Sequence, residues 1–395
     1  MPQPNDLSRS LTALDQDSTL IVIIEMSQAS WLVGAIVPGI ERHPLKKLAP
    51  DAEELLQVLQ RWGREAAKAG RTVKRIAVAF EAGRDGFWLA RWLRAHGVEP
   101  HVIHASSVAV SREHRRAKTD RLDVELLKRA FLGWLRGEGD HCKMAAIPTL
   151  ELEDARQPSR ERETLVGERT RIINRMKSTL ARLGIRNFRP NLRNAPERLA
   201  ALRTPEGVAL PTNTRAELQR DMARLRLVKE QIREIEQTRL RRFAQPPADA
   251  PHAMLVLLAR VIGVGIETAD MLVNEVFVRN LRDRRAVARY AGLTGAPDES
   301  GARRREKGLA RAGSARVRRG MLQLAWRFLM FQKDSALAQW FQARTADRRS
   351  GTRKTMIVAP LPPQGQALAR KLLIALWRLA TTGEVPQGVV LRAAV

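Results

Sequence analysis

The segment of residues 19–24, TLIVII, constrains the fold more than any other part of the sequence. An unbroken run of apolar, mostly β-branched residues is typical of a strand that is buried on both faces. Such a strand needs neighbouring strands beside it and helices above and below the sheet. The N-terminal part of the chain is therefore expected to be a layered α/β structure.

The order of elements after this run defines the predicted sheet. Four more strands are predicted, at residues 30–37, 43–48, 73–80 and 100–103. Helices are predicted from residue 51, over residues 86–95 and over residues 118–135. Three consecutive strands followed by alternating helices and strands predict a mixed five-stranded sheet with helices on its faces.

The rest of the chain is predicted to be mainly helical. Leucine and isoleucine spacing over residues 151–245 predicts two long helices, which either fold back on each other or form a dimerising coiled coil. A proline-rich linker follows at residues 245–251. We therefore predict an acidic α/β domain over residues 17–140, a helical or coiled-coil segment over residues 151–245, and a mainly helical C-terminal domain over residues 252–395.

The charge balance points to nucleic acid as the partner. The 395 residues carry a formal net charge of +27, while the 44% hydrophobic share is enough to form a core. The single cysteine, Cys142, excludes an intramolecular disulfide and a cysteine-based zinc site. The first residues lack an apolar signal core, and no apolar run approaches the length of a membrane span. We expect a cytoplasmic protein, associated with the nucleoid when it binds DNA, without a membrane partner.

Four acids fall at positions that favour metal binding. Glu25 follows the first buried strand, Glu81 ends the fourth, and Asp120 and Asp123 open the helix after the fifth. The first and fourth strands of such a sheet lie side by side, so their carboxylates should converge. Hard oxygen ligands select Mg²⁺, or Mn²⁺ in its place, and two such ions about 4 Å apart can stabilise a phosphodiester under attack. Individually, the two aspartates also suit a helix N-terminus, and Glu81 could pair with Arg84.

A glycine pattern at residues 258–269, LARVIGVGIETA, is typical of a helix-hairpin-helix. Gly263 and Gly265 would permit a tight turn, and backbone N–H groups at the start of the next helix, near Thr268, could hold a DNA phosphate. The alternative interpretation is a glycine-rich turn that serves packing alone.

A third pattern joins YAGL at residues 290–293 with Ser300-Gly301 and a dense basic run. Such a cationic field would stabilise the charge that develops on an attacked phosphate, although Ser300 alone could be a turn residue or a helix cap. The chain has a single tyrosine, Tyr290, which any tyrosine recombinase chemistry would have to use. The predicted nucleic-acid contacts are Lys118, Gly263, Gly265, Thr268, Arg303, Arg304, Arg305, Lys307, Arg311, Arg316, Arg318 and Arg319.

Together these motifs resemble the bridge-RNA-guided recombinases, which are insertion-sequence transposases with an RNase H-like (RuvC-like) acidic domain and a C-terminal serine domain. The resemblance covers residues 19–345. It rests on AFEAG at residues 79–83, KTDRLD at 118–123, the hairpin at 261–269, YAGL at 290–293, and Ser300-Gly301 with the basic segment around Gly313.

The resemblance implies a mechanism. Glu25, Glu81, Asp120 and Asp123 would bind Mg²⁺ or Mn²⁺, and Ser300 would form a covalent intermediate with DNA. A noncoding bridge RNA would pair with target and donor DNA, and the protein would act as a homo-oligomer, a dimer or tetramer. The first acid of the family is normally aspartate, so the longer side chain of Glu25 would shift the metal geometry.

Two alternatives remain at this stage. A metal-dependent nuclease of the Holliday-junction type would cleave DNA without a covalent intermediate and without Ser300. A non-catalytic DNA- or RNA-binding protein, with Glu25 as an early sign of drift, would bind tightly with a steep salt dependence and break no strand.

Overall fold

The computed structural model describes residues 9–83, 86–104, 107–108, 119–139, 141–279, 281–300, 303–309, 313–346, 357 and 367–393, with the backbone alone for 296–300 and 303–308. The chain divides into two compact units. The first comprises Met1–Leu152 and Arg279–Arg282, and the second comprises Glu153–Val278 and Asp283–Val395. The three-domain division predicted from the sequence stays a prediction.

A six-stranded mixed sheet forms the first unit, in the order β3-β2-β1-β4-β5-β6. Strands β1, β4 and β5 run parallel to one another, and the other three pair antiparallel with their neighbours. The strands are β1 Thr19–Met26, β2 Trp31–Ile36, β3 Leu45–Leu48, β4 Arg75–Glu81, β5 Glu99–Ile103 and β6 Met144–Ala145. The mixed sheet and the pairing of the first and fourth strands are confirmed. The predicted five strands become six because β6, with two residues, is too short to leave a pattern.

Helices cover both faces of this sheet. In β1, Val22 belongs to the core formed with helices α1 (Ala52–Lys68) and α2 (Trp88–Ala95). Its neighbour Ile23 belongs to the core formed with helix α3 (Asp120–Leu135) on the opposite face. Successive strand residues point to opposite faces. The unbroken apolar run in β1 therefore fills two separate cores.

Two long helices fold back on each other in the second unit. Helices α5 (Gln157–Ala181) and α7 (Thr212–Phe243) bury their apolar stripes in one cluster that includes Met176 and Leu225. Oδ1 of the buried Asp221 accepts a hydrogen bond from Nη2 of Arg175 at 2.6 Å, and this hydrogen bond lowers the pKa of the carboxyl group. The stripes that could have formed a dimerising coiled coil are thus buried within the chain, which supports the intramolecular alternative.

The remaining elements are short helices and one β-hairpin. They are α4 Leu150–Asp154, α6 Ala195–Ala200, α8 Ala250–Ala259, α9 Ile266–Leu272, a π-helical turn Val273–Phe277, α10 Arg284–Tyr290, β7 Gly295–Ser300, β8 Arg303–Leu309, α11 Ala315–Phe331, α12 Ala336–Arg344 and α13 Leu368–Thr382. The hairpin β7–β8 places the backbone of Ser300 at the end of a strand, where the sequence predicted no strand and allowed a turn residue or a helix cap. Its residues are mostly polar, so they show no alternation that would reveal a strand.

The segment after α13 returns to the turn between α8 and α9. Leu391 forms a β-bridge with Val261, and the backbone of Arg392 donates to the Arg260 carbonyl at 2.7 Å. The buried Gln332 side chain joins the two segments. Its amide nitrogen donates to the carbonyls of Ile262 and Val390, and its oxygen accepts from the Val390 N–H. The last part of the chain therefore holds this turn in place. Within the described residues, no helix has the length and apolarity needed to cross a membrane.

We predict that Gln332→Leu lowers the free energy of unfolding by about 2–4 kcal/mol, because each buried polar group left without a partner costs about 1–3 kcal/mol. The measurement is urea denaturation of the full chain. Gln339→Leu is the control, since the amide of the exposed Gln339 makes one 3.3 Å hydrogen bond. Its effect should stay within about 0.5 kcal/mol. Equal losses in both variants would contradict the bridging role of Gln332.

Candidate functional site

Glu25 and Glu81 lie at the carboxyl ends of two neighbouring parallel strands. The register of β1 and β4 places Ile24 opposite Phe80, so the two glutamates follow at matching positions. Ile24 and Phe80 pack toward α1 and α2, and alternation directs the next residue of each strand toward the face that carries α3. Both glutamates are half-buried. The predicted convergence of these two positions on one face is consistent with the backbone.

The first turn of α3 lies over the same face of the sheet. Thr119 caps the helix, and its hydroxyl accepts a hydrogen bond from the Leu122 N–H at 3.3 Å. Val124 packs so tightly on β2 that a Cβ at Gly34 would lie 2.7 Å from its Cγ1. Gly34 in turn pairs with Ile23 of β1, two residues before the first glutamate. The start of α3 is thereby placed near the end of β1.

The two aspartates of this turn differ in exposure. Asp120 is exposed and Asp123 is half-buried. Among the residues that the structure describes, no group of three or more His, Cys, Asp or Glu side chains is close enough to hold a metal ion. The oxygen chemistry of the four acids fits Mg²⁺ or Mn²⁺. Their side chains are brought to one face of the sheet but are not closed into a cluster.

Ser300 ends β7, and its backbone is registered opposite Arg303 of β8. Arg304 and Arg305 occupy the next positions along β8, paired with Glu299 and Asp298. Lys307 lies further along β8, whereas Lys118 and Arg311 lie outside the described residues. The serine and the arginines that follow it thus stand at the turn end of one hairpin.

Two of the sequence motifs meet at the base of this hairpin. Gly313 has a φ of 85°, and a Cβ placed on it would lie 2.6 Å from the Tyr290 carbonyl oxygen and against that of Arg289. The backbone N–H of Ser314 donates to the same Tyr290 carbonyl at 2.7 Å. Gly292 also has a positive φ, of 66°. The YAGL motif and the Gly313 segment therefore close the hairpin together.

The predicted helix-hairpin-helix corresponds to α8, a glycine turn and α9. Gly263 has a φ of 96°, and a Cβ on it would lie 3.3 Å from the Cβ of the exposed Phe331. A Cβ on Gly265 would lie 3.5 Å from Nη1 of Arg327. The Thr268 N–H donates to the Gly265 carbonyl at 3.0 Å, so this amide is used within the helix. The predicted contact of Gly263, Gly265 and Thr268 with a DNA phosphate stays a prediction.

Two basic residues of the predicted nucleic-acid surface form ion pairs with carboxylates of the protein. Arg316 and Arg319 both form ion pairs with Glu163 of α5. Arg316 also places Nη1 3.2 Å from Glu275 Oε1. Arg318, between them, is half-buried. Part of the basic run therefore forms ion pairs within the protein.

A buried polar network, which the sequence patterns did not predict, surrounds the π-helical turn. Asp270 accepts from the Ser159 hydroxyl at 2.8 Å and from the Asn274 amide at 3.0 Å, and it forms an ion pair with Arg239 at 3.2 Å. Glu275 lies deeper, 3% exposed. The signal in the sequence was the presence of Asp270, Asn274 and Glu275 within the otherwise apolar segment of residues 269–278.

Burial alone would raise the pKa of Glu275, but the hydrogen bond from Arg160 and the charges of Arg160, Arg156 and Arg316 outweigh it and lower the pKa.

Burial raises the pKa of the Cys142 thiol to about 12. This thiol stays protonated at neutral pH, which argues against the cysteine as a nucleophile.

Two family models match separate parts of the chain. A model described as Transposase IS116/IS110/IS902 family matches residues 256–340, which include Gly263 and Ser300. A DEDD transposase model of the IS110 type, described as Transposase, matches residues 40–185. That match includes Glu81, Asp120 and Asp123 and begins after Glu25. No solved structure matches this chain.

One curated relative spans the whole chain. It is "Putative transposase y4rJ" of Sinorhizobium fredii (strain NBRC 101917 / NGR234), 37% identical over 404 residues that cover 98% of each chain. The protein therefore belongs to the IS116/IS110/IS902 family of insertion-sequence transposases. The predicted class, a DNA transposase, is confirmed at this level.

We predict that Gly313→Ala destabilises the protein more than Gly383→Ala. Both glycines have a positive φ, but a Cβ at Gly383 meets no atom within 4 Å, whereas one at Gly313 meets backbone carbonyls. The control should lose about 1–2 kcal/mol from the left-handed backbone, and Gly313→Ala about 1–3 kcal/mol more from the steric clash. Urea denaturation measures the difference, and hydrogen exchange at the Ser314 amide should accelerate in Gly313→Ala alone. Equal losses would show that the hairpin base tolerates the methyl group.

Proposed function

We propose that this transposase exchanges DNA strands through attack of Ser300 on a phosphodiester, assisted by a divalent cation bound by Glu25, Glu81, Asp120 and Asp123. The observation that carries the proposal is the position of Ser300 at the turn end of a hairpin whose second strand begins with Arg303. The base of this hairpin is fixed by Gly313. The proposal also rests on the resemblance of these motifs to the serine domain of the bridge-RNA-guided recombinases.

The chemistry conserves the number of phosphodiester bonds. The Ser300 hydroxyl oxygen attacks phosphorus and its proton passes to solvent, while the bond from phosphorus to the leaving strand oxygen breaks and that oxygen takes up a proton from solvent to become a hydroxyl end. A hydroxyl end of another strand then attacks the serine phosphodiester and releases the serine. No external energy source is needed, since each bond that breaks is replaced by an equivalent bond. The arginines of β8 would stabilise the negative charge that develops on the phosphate.

The four carboxylates Glu25, Glu81, Asp120 and Asp123, which we call the acidic edge, have a separate role in this proposal. Carboxylates on neighbouring strands repel each other, and a cation between them relieves that repulsion. When bound there, Mg²⁺ or Mn²⁺ would supply positive charge beside a scissile phosphate. Glu25 reaches about one methylene further than an aspartate, and Mg²⁺ demands nearly ideal octahedral geometry. We therefore expect Mn²⁺ to be favoured over Mg²⁺ more than with an aspartate at this position.

The partners follow from the charge and the resemblance. A net charge of +27 favours duplex DNA, for target and donor alike, through its phosphates. A noncoding bridge RNA would supply sequence recognition by base pairing, which leaves the protein to bind the backbone. A homo-oligomer, a dimer or tetramer, would combine the acidic domain of one subunit with the serine domain of another.

A second candidate is a metal-only nuclease. It is favoured by the match of the DEDD transposase model to residues 40–185, which is named for acidic residues. In this mechanism water attacks the phosphodiester, no protein–DNA bond forms, and the C-terminal unit only binds DNA. The two candidates make opposite predictions for the serine.

The decisive prediction concerns Ser300→Ala. Protein co-expressed with its flanking noncoding DNA is incubated with end-labelled target and donor duplexes and Mg²⁺ or Mn²⁺, and the products are separated on a denaturing protein gel. Label should travel with the wild type and with the control Ser107→Ala, and not with Ser300→Ala. Free cleaved DNA from all three proteins would establish the metal-only nuclease. DNA binding without strand breakage, in the presence of either Mg²⁺ or Mn²⁺, would support the alternative of a non-catalytic nucleic-acid-binding protein.

The acidic edge is tested by Glu81→Gln and Asp120→Asn. Each should reduce metal-dependent strand exchange by about 100-fold or more, because one ligand of the cation is lost. Titration calorimetry with Mn²⁺ should show weaker binding in both variants. Glu53→Gln, on the exposed start of α1, is the control and should change neither measurement. Unchanged Mn²⁺ affinity in Glu81→Gln and Asp120→Asn would rule out this edge as the metal site.

A further inference from the structure

Arg316 stands close to the hairpin that carries Ser300. It lies in the first turn of α11, three residues after Gly313, which closes the hairpin base. Its Nε forms an ion pair with Glu163 of α5, and its Nη1 lies 3.2 Å from Glu275 Oε1 in the π-helical turn. One guanidinium group thus joins two carboxylates from two different elements.

Glu275 is the buried centre of this arrangement. Its side chain is 4% exposed. The carboxylate accepts two hydrogen bonds from the guanidinium group of Arg160 in α5, at 3.0 and 3.3 Å. A buried carboxylate stays charged only when paired charges and hydrogen bonds compensate for the lost water. Arg160 and Arg316 provide that compensation together. We call the four residues Arg160, Glu163, Glu275 and Arg316 the charged clamp.

The charged clamp connects the hairpin base to the helical hairpin α5–α7. Ser314, which caps α11, is hydrogen-bonded to Tyr290, and Arg316 follows within the same turn. Any rotation of the β7–β8 base relative to α5 would pull Arg316 away from Glu163 and Glu275. We propose that Arg316 is a positioning residue, which sets the orientation of the serine hairpin and does not bind nucleic-acid phosphate. This inference rests on the proposed function of Ser300.

Arg316 was predicted from the basic run to contact nucleic acid, and its contacts argue against that role. Its Nε and Nη1 donors are held by two carboxylates, one of which is buried, so a phosphate that used these donors would compete with both pairs. Arg327, on the same helix, offers a contrast. It lies beside Gly265 and forms no ion pair within the described part of the chain. A phosphate at the glycine turn would meet Arg327 without breaking an existing pair.

The first experiment separates the two roles without relying on catalysis. Binding of a non-specific DNA duplex to the full chain is measured at several salt concentrations. Arg327→Ala should reduce the slope of log K against log salt by about one, as expected for one lost phosphate contact. Arg316→Ala should leave the slope unchanged. A reduced slope in Arg316→Ala would overturn the inference.

The second experiment measures positioning. With saturating DNA, we expect Arg316→Ala to form the covalent protein–DNA adduct about 10- to 100-fold more slowly, with its DNA affinity within about two-fold of the wild type. Arg316→Lys should recover only part of this rate, since an ammonium group cannot reproduce the planar guanidinium geometry. Glu163→Gln should slow adduct formation as well, because it removes the carboxylate that Arg316 and Arg319 share. Unchanged adduct rates in Arg316→Ala would refute the positioning role.

Hydrogen exchange keeps the inference testable if the serine mechanism fails. Amides of the β7–β8 hairpin should exchange faster in Arg316→Ala and less so in Arg316→Lys, while those of α7 should keep their protection. No adduct in the wild type would reject Ser300 as the nucleophile, yet the exchange and salt data would still decide whether Arg316 holds the hairpin. Unaltered hairpin exchange in both variants would overturn the charged clamp as a positioning device.

Discussion

Parallel pairing of β1 with β4 fixes the geometry on which the acidic edge depends. Both strands are buried on both faces, so the register of their pairing is held by two cores at once. A slip of one residue would turn every side chain of a strand to the opposite face and separate Glu25 from Glu81. The same constraint sets where α3 begins, since Val124 must pack against Gly34. The position of each acid is therefore a consequence of core packing.

The second unit is organised by a different force. The protein carries a net charge of +27, and repulsion among its cations opposes a compact state. Acids placed between helices offset that repulsion where the helices meet. Asp221 lies between α5 and α7, and Glu163 and Glu275 lie between α5, the π-helical turn and α11. These contacts also select which arginines are engaged in the fold and which are left to meet a partner.

The sequence predicts what local pattern determines and misses what distant contacts decide. Strands β1 to β5 and the neighbouring positions of Glu25 and Glu81 follow from apolar runs and the order of elements, whereas the two-residue β6 does not. The hairpin β7–β8 could not be predicted in this way, because its polar residues lack alternation and its base depends on Gly313. Arg316 belongs to a basic run, but its partner Glu163 lies 153 residues away in the chain. The apolar stripes of α5 and α7 likewise cannot reveal whether the facing helix belongs to the same chain. Whether the four acids enclose a cation depends on side-chain geometry that no spacing rule supplies.

The pairing of Leu391 with Val261 has a consequence for synthesis of the protein. The turn that carries Gly263 and Gly265 is held by residues that the ribosome adds later: Gln332, which is 70 positions after Ile262, and Arg392, which is 132 positions after Arg260. Domains generally fold as they emerge, N-terminal parts first. The sheet of the first unit can therefore form on the nascent chain, whereas this turn gains its last contacts only after residues 391 and 392 have left the ribosome. A translation product truncated before these residues would contain the acidic edge but lack a completed glycine turn. The two parts of the transposase are therefore completed at different times during synthesis.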